Sequence, residues 1–82
     1  MLMNMRYILF TSPFCAACRP VKEFLNSVNI DGEIVDAAED SGSEVAVKYS
    51  VMKLPTVIFL DSNRQEICRC HSIGEIKEII GD

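Results

Sequence analysis

Residues 12–20 read SPFCAACRP and set Cys15 and Cys18 three positions apart in a chain of 82 residues. Three uses of such a pair stand open: a catalytic dithiol, two ligands of a metal, or a structural staple. A bridge closing so short a loop removes only about 2 kcal/mol of unfolded-chain entropy, which makes the staple poorly placed. The flanking sequence sets the local frame. Upstream, MRYILF (residues 5–10) is an apolar run of strand length that ends at the turn-forming Thr11, Ser12 and Pro13. Downstream, Ala17, Val21, Phe24, Leu25 and Val28 recur at helical spacing, with Lys22, Glu23 and Asn26 on the other side. The pattern predicts an amphipathic helix over about 15–28, opened by the cysteines, with Pro20 kinking its second turn.

Further out, DGEIVDA carries a strand over 33–36, and residues 43–49 form a brief helix after the cap-forming EDSGS cluster. PTVIFL (55–60) is a wholly apolar strand, DSNRQ a polar hairpin connection, and EICRC (66–70) the returning antiparallel strand. Ser72 and Glu75 have capping-box spacing; Ile73, Ile76, Ile79 and Ile80 supply one apolar face, and Gly81 the stop. The order is βαβ, α, then ββα in one α/β domain over 1–82. Strands apolar on both sides require helices on both faces of a central sheet.

Composition narrows the classes. Hydrophobic residues make up 49% and charged residues 24%, the balance of a soluble globular domain rather than a disordered one. The net charge of -4, with eight scattered Lys and Arg, argues against a nucleic-acid partner. The opening MLMNMRYILF is too short for a signal peptide or a membrane span and reads as a strand lead-in. Four cysteines without an export signal point to the reducing cytoplasm, where paired cysteines are catalytic or metal-binding.

The strand ending in FTSPFCAAC, followed some forty residues later by KYSVMKLPTVIFL, resembles the thioredoxin superfamily over nearly the whole chain. The second block is similar to the thioredoxin stretch in which Lys-Tyr, a branched residue and Ile-Pro-Thr precede a buried strand. The resemblance implies a minimal, glutaredoxin-like form of the thioredoxin fold with a four-stranded mixed sheet. It further implies that Pro55 is cis and faces the dithiol, that Leu54, Pro55 and Thr56 guide the substrate backbone, and that Phe14 and Ala16 border the substrate. Two departures stand out. Leu9 occupies the position, six residues before the first cysteine, where thioredoxins keep a buried Asp. Where glutaredoxins carry a Gly-Gly-Asp turn before the last helix, this chain has CHSIGE.

Disulfide exchange needs a thiolate, and a cysteine with pKa about 8.5 is only about 3% ionised at neutral pH. Unpaired amides and the positive end of a helix dipole at Cys15 favour ionisation, so Cys15 is the expected nucleophile and Cys18, one turn inside, the resolving thiol. Ala16 and Ala17 add no charge to stabilise the thiolate, which implies a reducing potential. The CRCH stretch (68–71) leaves a zinc alternative open, in which Cys68, Cys70 or His71 would join Cys15 and Cys18. Otherwise Cys68 is expected to be a buried small hydrophobe and His71 an ordinary surface residue, while an accessory redox thiol beside the groove stands as one open reading of Cys70.

The expectation is a cytoplasmic, monomeric thiol-disulfide oxidoreductase that needs no cofactor or membrane. It acts on disulfide-containing client proteins and is recharged by a flavin-dependent thioredoxin-reductase-like donor. The alternatives are a glutaredoxin-like enzyme using glutathione, or a hydrogen donor for ribonucleotide reductase, and more remotely a zinc-binding interaction module.

Overall fold

The structure, a computed structural model, describes residues 4–81; the first residues of the expected strand lead-in lie outside that range. The elements follow the order β1 (Arg6–Thr11), α1 (Cys18–Ser27), β2 (Asp31–Asp36), α2 (Asp40–Lys48), β3 (Thr56–Leu60), β4 (Glu66–Cys70) and α3 (Ile73–Ile80). They form a four-stranded sheet in the order β2-β1-β3-β4. β1 runs parallel to β2 and antiparallel to β3, and β3 runs antiparallel to β4. This is the expected mixed α/β arrangement.

Period-two alternation distributes the core over the two faces of the sheet. Tyr7, Leu9, Val57, Phe59 and Cys70 meet Val21 and Leu25 of α1 and Ile76 of α3. Ile8, Phe10, Ile58 and Leu60 meet Ala46 of α2, with Val45, Tyr49 and Leu54 packed around them. Every residue of β3 is buried, because this central strand has a neighbour on each edge and helices on each face. That geometry explains why PTVIFL is apolar without alternation.

The ends of the elements follow local chemistry. Ser72 caps α3, its hydroxyl accepting from the Glu75 amide at 3.2 Å, and Gly81 terminates the helix in the left-handed region at φ 76°. In the β3–β4 connection the Asp61 carboxylate accepts from the amides of Asn63 and Gln65, both at 2.9 Å. α2 starts at Asp40, earlier than the expected 43. Its N-cap, Glu39, offers no side-chain hydrogen bond, so the cap-forming cluster contributes the first turn instead.

The pairing of β4 is irregular. Leu60 lies opposite Glu66 and Phe59 opposite Cys68, so Ile67 is an extra residue bulged out of the ladder. The bulge turns Glu66 to the same face as Arg69 despite their odd spacing. Arg69 binds the carboxylate through two hydrogen bonds, Nε to Oε2 at 2.7 Å and Nη2 to Oε1 at 2.8 Å. Its Nη2 also donates to the carbonyl of Tyr49 at 3.0 Å, tying β4 to the end of α2.

Candidate active site

β1 delivers the chain to the redox pair. After Thr11 the backbone makes two successive tight turns, Cys15 N to Ser12 O at 3.1 Å and Cys18 N to Cys15 O at 3.2 Å. The Ser12 hydroxyl fixes the first of them by accepting from the Phe14 amide at 3.0 Å. Cys15 and Cys18 are joined by a disulfide with Cα atoms 5.4 Å apart.

Regular helix begins at Cys18, with Ala17 as N-cap, rather than at Cys15 as the periodicity suggests. The apolar stripe marks which side chains can be buried, whereas the i→i+3 turns of the loop decide where the helical ladder starts. Two consequences follow. Pro20 falls in the first turn of α1, where backbone N–H groups have no intrahelical acceptor, so it costs no helical hydrogen bond and the expected kink has no cause. Cys15 sits three residues ahead of the helix. Among the described residues, the amides of Ala16 and Ala17 that follow it take part in no hydrogen bond. Free donors therefore follow Cys15 directly in the chain at the helix entrance.

The two sulfurs differ in access. Cys15 is half-buried, whereas Cys18 is 1% exposed. Cys15 and Phe14 border an open cleft that continues along Ala16, Arg19 and Lys22 to Ile34 and Asp36. Phe14 is 87% exposed, a large apolar surface left in solvent beside the reactive bond. Leu9, where a carboxylate would lie in thioredoxins, is fully buried on the α1 face.

Leu54, Pro55 and Thr56 are not among the residues lining that cleft. They stand at the same end of the sheet through register, since Thr56 pairs with Phe10, two positions from Ser12. The Leu54–Pro55 peptide bond is cis. Pro55 and Thr56 are buried and Leu54 is half-buried. Among the described residues the backbone N–H and C=O of Leu54 make no hydrogen bond. Met52, two residues earlier, is 92% exposed. Sequence reasoning missed it, because nothing in a short loop distinguishes an exposed methionine from a core one.

The CRCH stretch departs most from expectation. Cys70, for which an accessory redox role stood open, is 2% exposed inside the α1/α3 core, and burial pushes its thiol up to about 11. It is therefore protonated at neutral pH and shielded, the opposite of a reactive cysteine. Cys68, expected to be the buried one, is only half-buried, and burial again raises its pKa. Both point to the α1/α3 face, and each perturbs the other. Among the described residues no three of His, Cys, Asp and Glu gather as a metal site, so the two cysteine pairs are not brought together. His71 is more than a surface residue: it is half-buried, with Nδ1 3.3 Å from both the Pro55 carbonyl and Thr56 Oγ1.

Comparison with known proteins agrees with this geometry. The glutaredoxin family model matches residues 7–63, more than half of the chain and inclusive of the redox pair and the Pro55 segment. The SPbeta prophage-derived thioredoxin-like protein YosR of Bacillus subtilis is 37% identical over 70 residues, spanning 85% of this chain and 82% of that protein. Among solved structures, Fasciola hepatica thioredoxin superposes with a TM-score of 0.82 at 22% identity, covering 95% of this chain and 79% of that one. Oxidised thioredoxin O2 of Arabidopsis thaliana gives 0.78 at 20% identity, covering 95% and 73%. At such identities the structural likeness establishes the thioredoxin fold alone. The family match and the B. subtilis relative, together with the Cys15–Cys18 disulfide, establish the rest: the chain belongs to the glutaredoxin family, on a thioredoxin fold, and is a thiol-disulfide oxidoreductase.

Proposed function

We propose that the chain reduces disulfides in client proteins and is recharged by a flavin-dependent, thioredoxin-reductase-like donor. The observation that carries this reading is the asymmetry of the pair: an accessible Cys15 bonded to a buried Cys18, beside unpaired amides and an exposed Phe14. In the reduced protein the Cys15 thiolate attacks one sulfur of the client disulfide. The client S–S bond breaks, its second sulfur leaves as a thiolate and takes a proton, and a Cys15–client mixed disulfide remains. Cys18 then loses its proton and attacks Cys15 Sγ. The client departs with both sulfurs reduced, and the Cys15–Cys18 disulfide seen here is the oxidised product. Two electrons from the reductase restore the dithiol.

Client recognition follows from the surface around the pair. Phe14 and Ala16 contact the client, and the open backbone of Leu54 pairs with an extended client segment as an added strand would. Pro55 and Thr56 hold that edge in place. Ala16 and Ala17 contribute no charge that would favour the thiolate strongly, which supports a reducing rather than an oxidising couple. CHSIGE in place of a Gly-Gly-Asp turn favours a reductase over glutathione as the donor.

The test is insulin reduction with two recharging systems, NADPH with thioredoxin reductase and NADPH with glutathione and its reductase. Turnover with the first and none with the second is expected, and Cys15→Ser abolishes it. Equal turnover with glutathione, or activity surviving in Cys15→Ser, would overturn the reading.

A further inference from the structure

We propose that His71 is a positioning residue: its Nδ1–H clamps the Pro55 carbonyl and so orients the client-binding edge at Leu54. The inference rests on the reading that clients dock along that edge.

Residues 52–55, the last part of the connection from α2 to β3, have little support of their own. Among the described residues they make two hydrogen bonds, and both lead to the same pair of side chains. The Thr56 hydroxyl donates to the Lys53 carbonyl at 2.7 Å. The Pro55 carbonyl lies 3.3 Å from His71 Nδ1, which is also 3.3 Å from Thr56 Oγ1. These contacts fix the state of the ring. A carbonyl oxygen only accepts, and the single hydroxyl proton of Thr56 is already given to Lys53, so Nδ1 must carry the hydrogen and share it between the two oxygens. The neutral Nδ1–H tautomer and the cation both provide that hydrogen, so the clamp is independent of the ring's charge.

His71 is itself held. Its backbone amide donates to Glu75 Oε1 at 2.6 Å, while the Glu75 amide donates to Ser72 Oγ at 3.2 Å. The capping box of α3 therefore reaches one residue beyond its N-cap and fixes the backbone from which the imidazole extends. On the other side, Val57 pairs with Cys70, which puts His71 level with Thr56 across the β3–β4 ladder. A rigid helix end, a strand end and a donor nitrogen thus converge on one carbonyl, the acceptor directly after the cis bond. The Leu54 N–H shares its peptide with the Lys53 carbonyl held by Thr56, and the Leu54 C=O lies one peptide before the carbonyl held by His71, so the two contacts together orient the groups left free for a client strand.

The experiment compares the full-length parent with His71→Leu, His71→Asn and His71→Gln. Asparagine places an N–H donor at the same distance from the backbone as Nδ1, whereas glutamine places it one bond further out. Substrates are insulin and dithiobis(nitrobenzoate), the second too small to use the strand edge. His71→Leu is expected to raise KM for insulin about fivefold to tenfold, the size of one or two lost hydrogen bonds, with kcat changed less than twofold. The small disulfide is expected to keep its KM. Asn restores the insulin KM and Gln does not. Asn failing to differ from Leu, or both substrates losing equally, would overturn the proposal. A second readout is independent of folding in the variants: 15N spectra of the parent imidazole are expected to show hydrogen on Nδ1, and hydrogen on Nε2 alone would refute the clamp. A parent that leaves insulin intact would instead refute the client reading, while the ring spectrum still tests the geometry.

Discussion

Gly42 offers a substitution whose sign tests the packing directly. In an open helix, replacing glycine by alanine stabilises by about 1 kcal/mol. Here Gly42 is buried in the first turn of α2, where a Cβ would lie 2.7 Å from the carbonyl carbon of Asp36 and closer still to its oxygen. Carbon atoms in good contact sit about 3.5–4.0 Å apart, so α2 would have to lift from the end of β2 by roughly 1 Å. The obstacle is backbone and has no rotamer by which to yield. Overpacking of this kind costs about 1–3 kcal/mol, enough to cancel the helix-propensity gain and reverse it. Because the obstacle is rigid backbone the upper part of that range, about 2–3 kcal/mol, applies, and after the propensity gain Gly42→Ala is expected to lose about 1–2 kcal/mol, read by urea unfolding followed by circular dichroism, with Tm falling by about 4–8 °C per kcal/mol. The displacement also reaches the cleft, because Asp36 borders it and the adjoining Ala37 amide donates to the Thr11 carbonyl at 2.8 Å. Gly74 in α3 is the control, since a Cβ there meets only Ser72 Oγ at 3.9 Å. Gly74→Ala is expected to gain about 0.5 kcal/mol. A Gly42→Ala protein as stable as the parent would refute the claim that α2 is seated on the Asp36 carbonyl.

The other expectations concern the thiols and the ion pair. In the reduced native protein iodoacetamide should label Cys15 first and leave Cys18 and Cys70 unmodified until the protein is unfolded; mass spectrometry finding Cys70 alkylated under native conditions would contradict its burial. Because the Cys70 thiol titrates near 11 when folded but at about 8.5 when unfolded, the native state holds its proton longer. Stability should therefore decline as pH rises past the unfolded value, and Cys70→Ala should flatten that alkaline slope. Arg69 depresses the Glu66 pKa mainly through its hydrogen bonds, a contribution present above the unfolded carboxylate range and lost as pH falls through the folded value. The pair is partly exposed, so Glu66→Gln should cost no more than about 1 kcal/mol at neutral pH, with the gap closing on acidification. A gap that persists in acid would point to something other than the ion pair.

The sequence by itself determined the layers and the chemistry. Unbroken apolar runs such as residues 55–60 require cover on both faces, which Val21, Leu25 and Ile76 supply on one side and Val45 and Ala46 on the other, so the α/β sandwich follows from burial alone. The spacing of Cys15 and Cys18 likewise permitted their local bridge before any fold was known. Tertiary structure decided what depends on register and on turns. Helix α1 starts at Cys18 because two loop hydrogen bonds, which no side-chain periodicity records, consume the residues before it. The bulge at Ile67 was equally hidden, and the packing around β4 set which of Cys68 and Cys70 is buried. His71 shows why: its partners, Pro55 and Thr56, are distant in sequence and become neighbours only when two strands pair. A hydrogen bond between remote residues leaves no period in the chain, whereas hydrophobic burial repeats with every turn and every pleat.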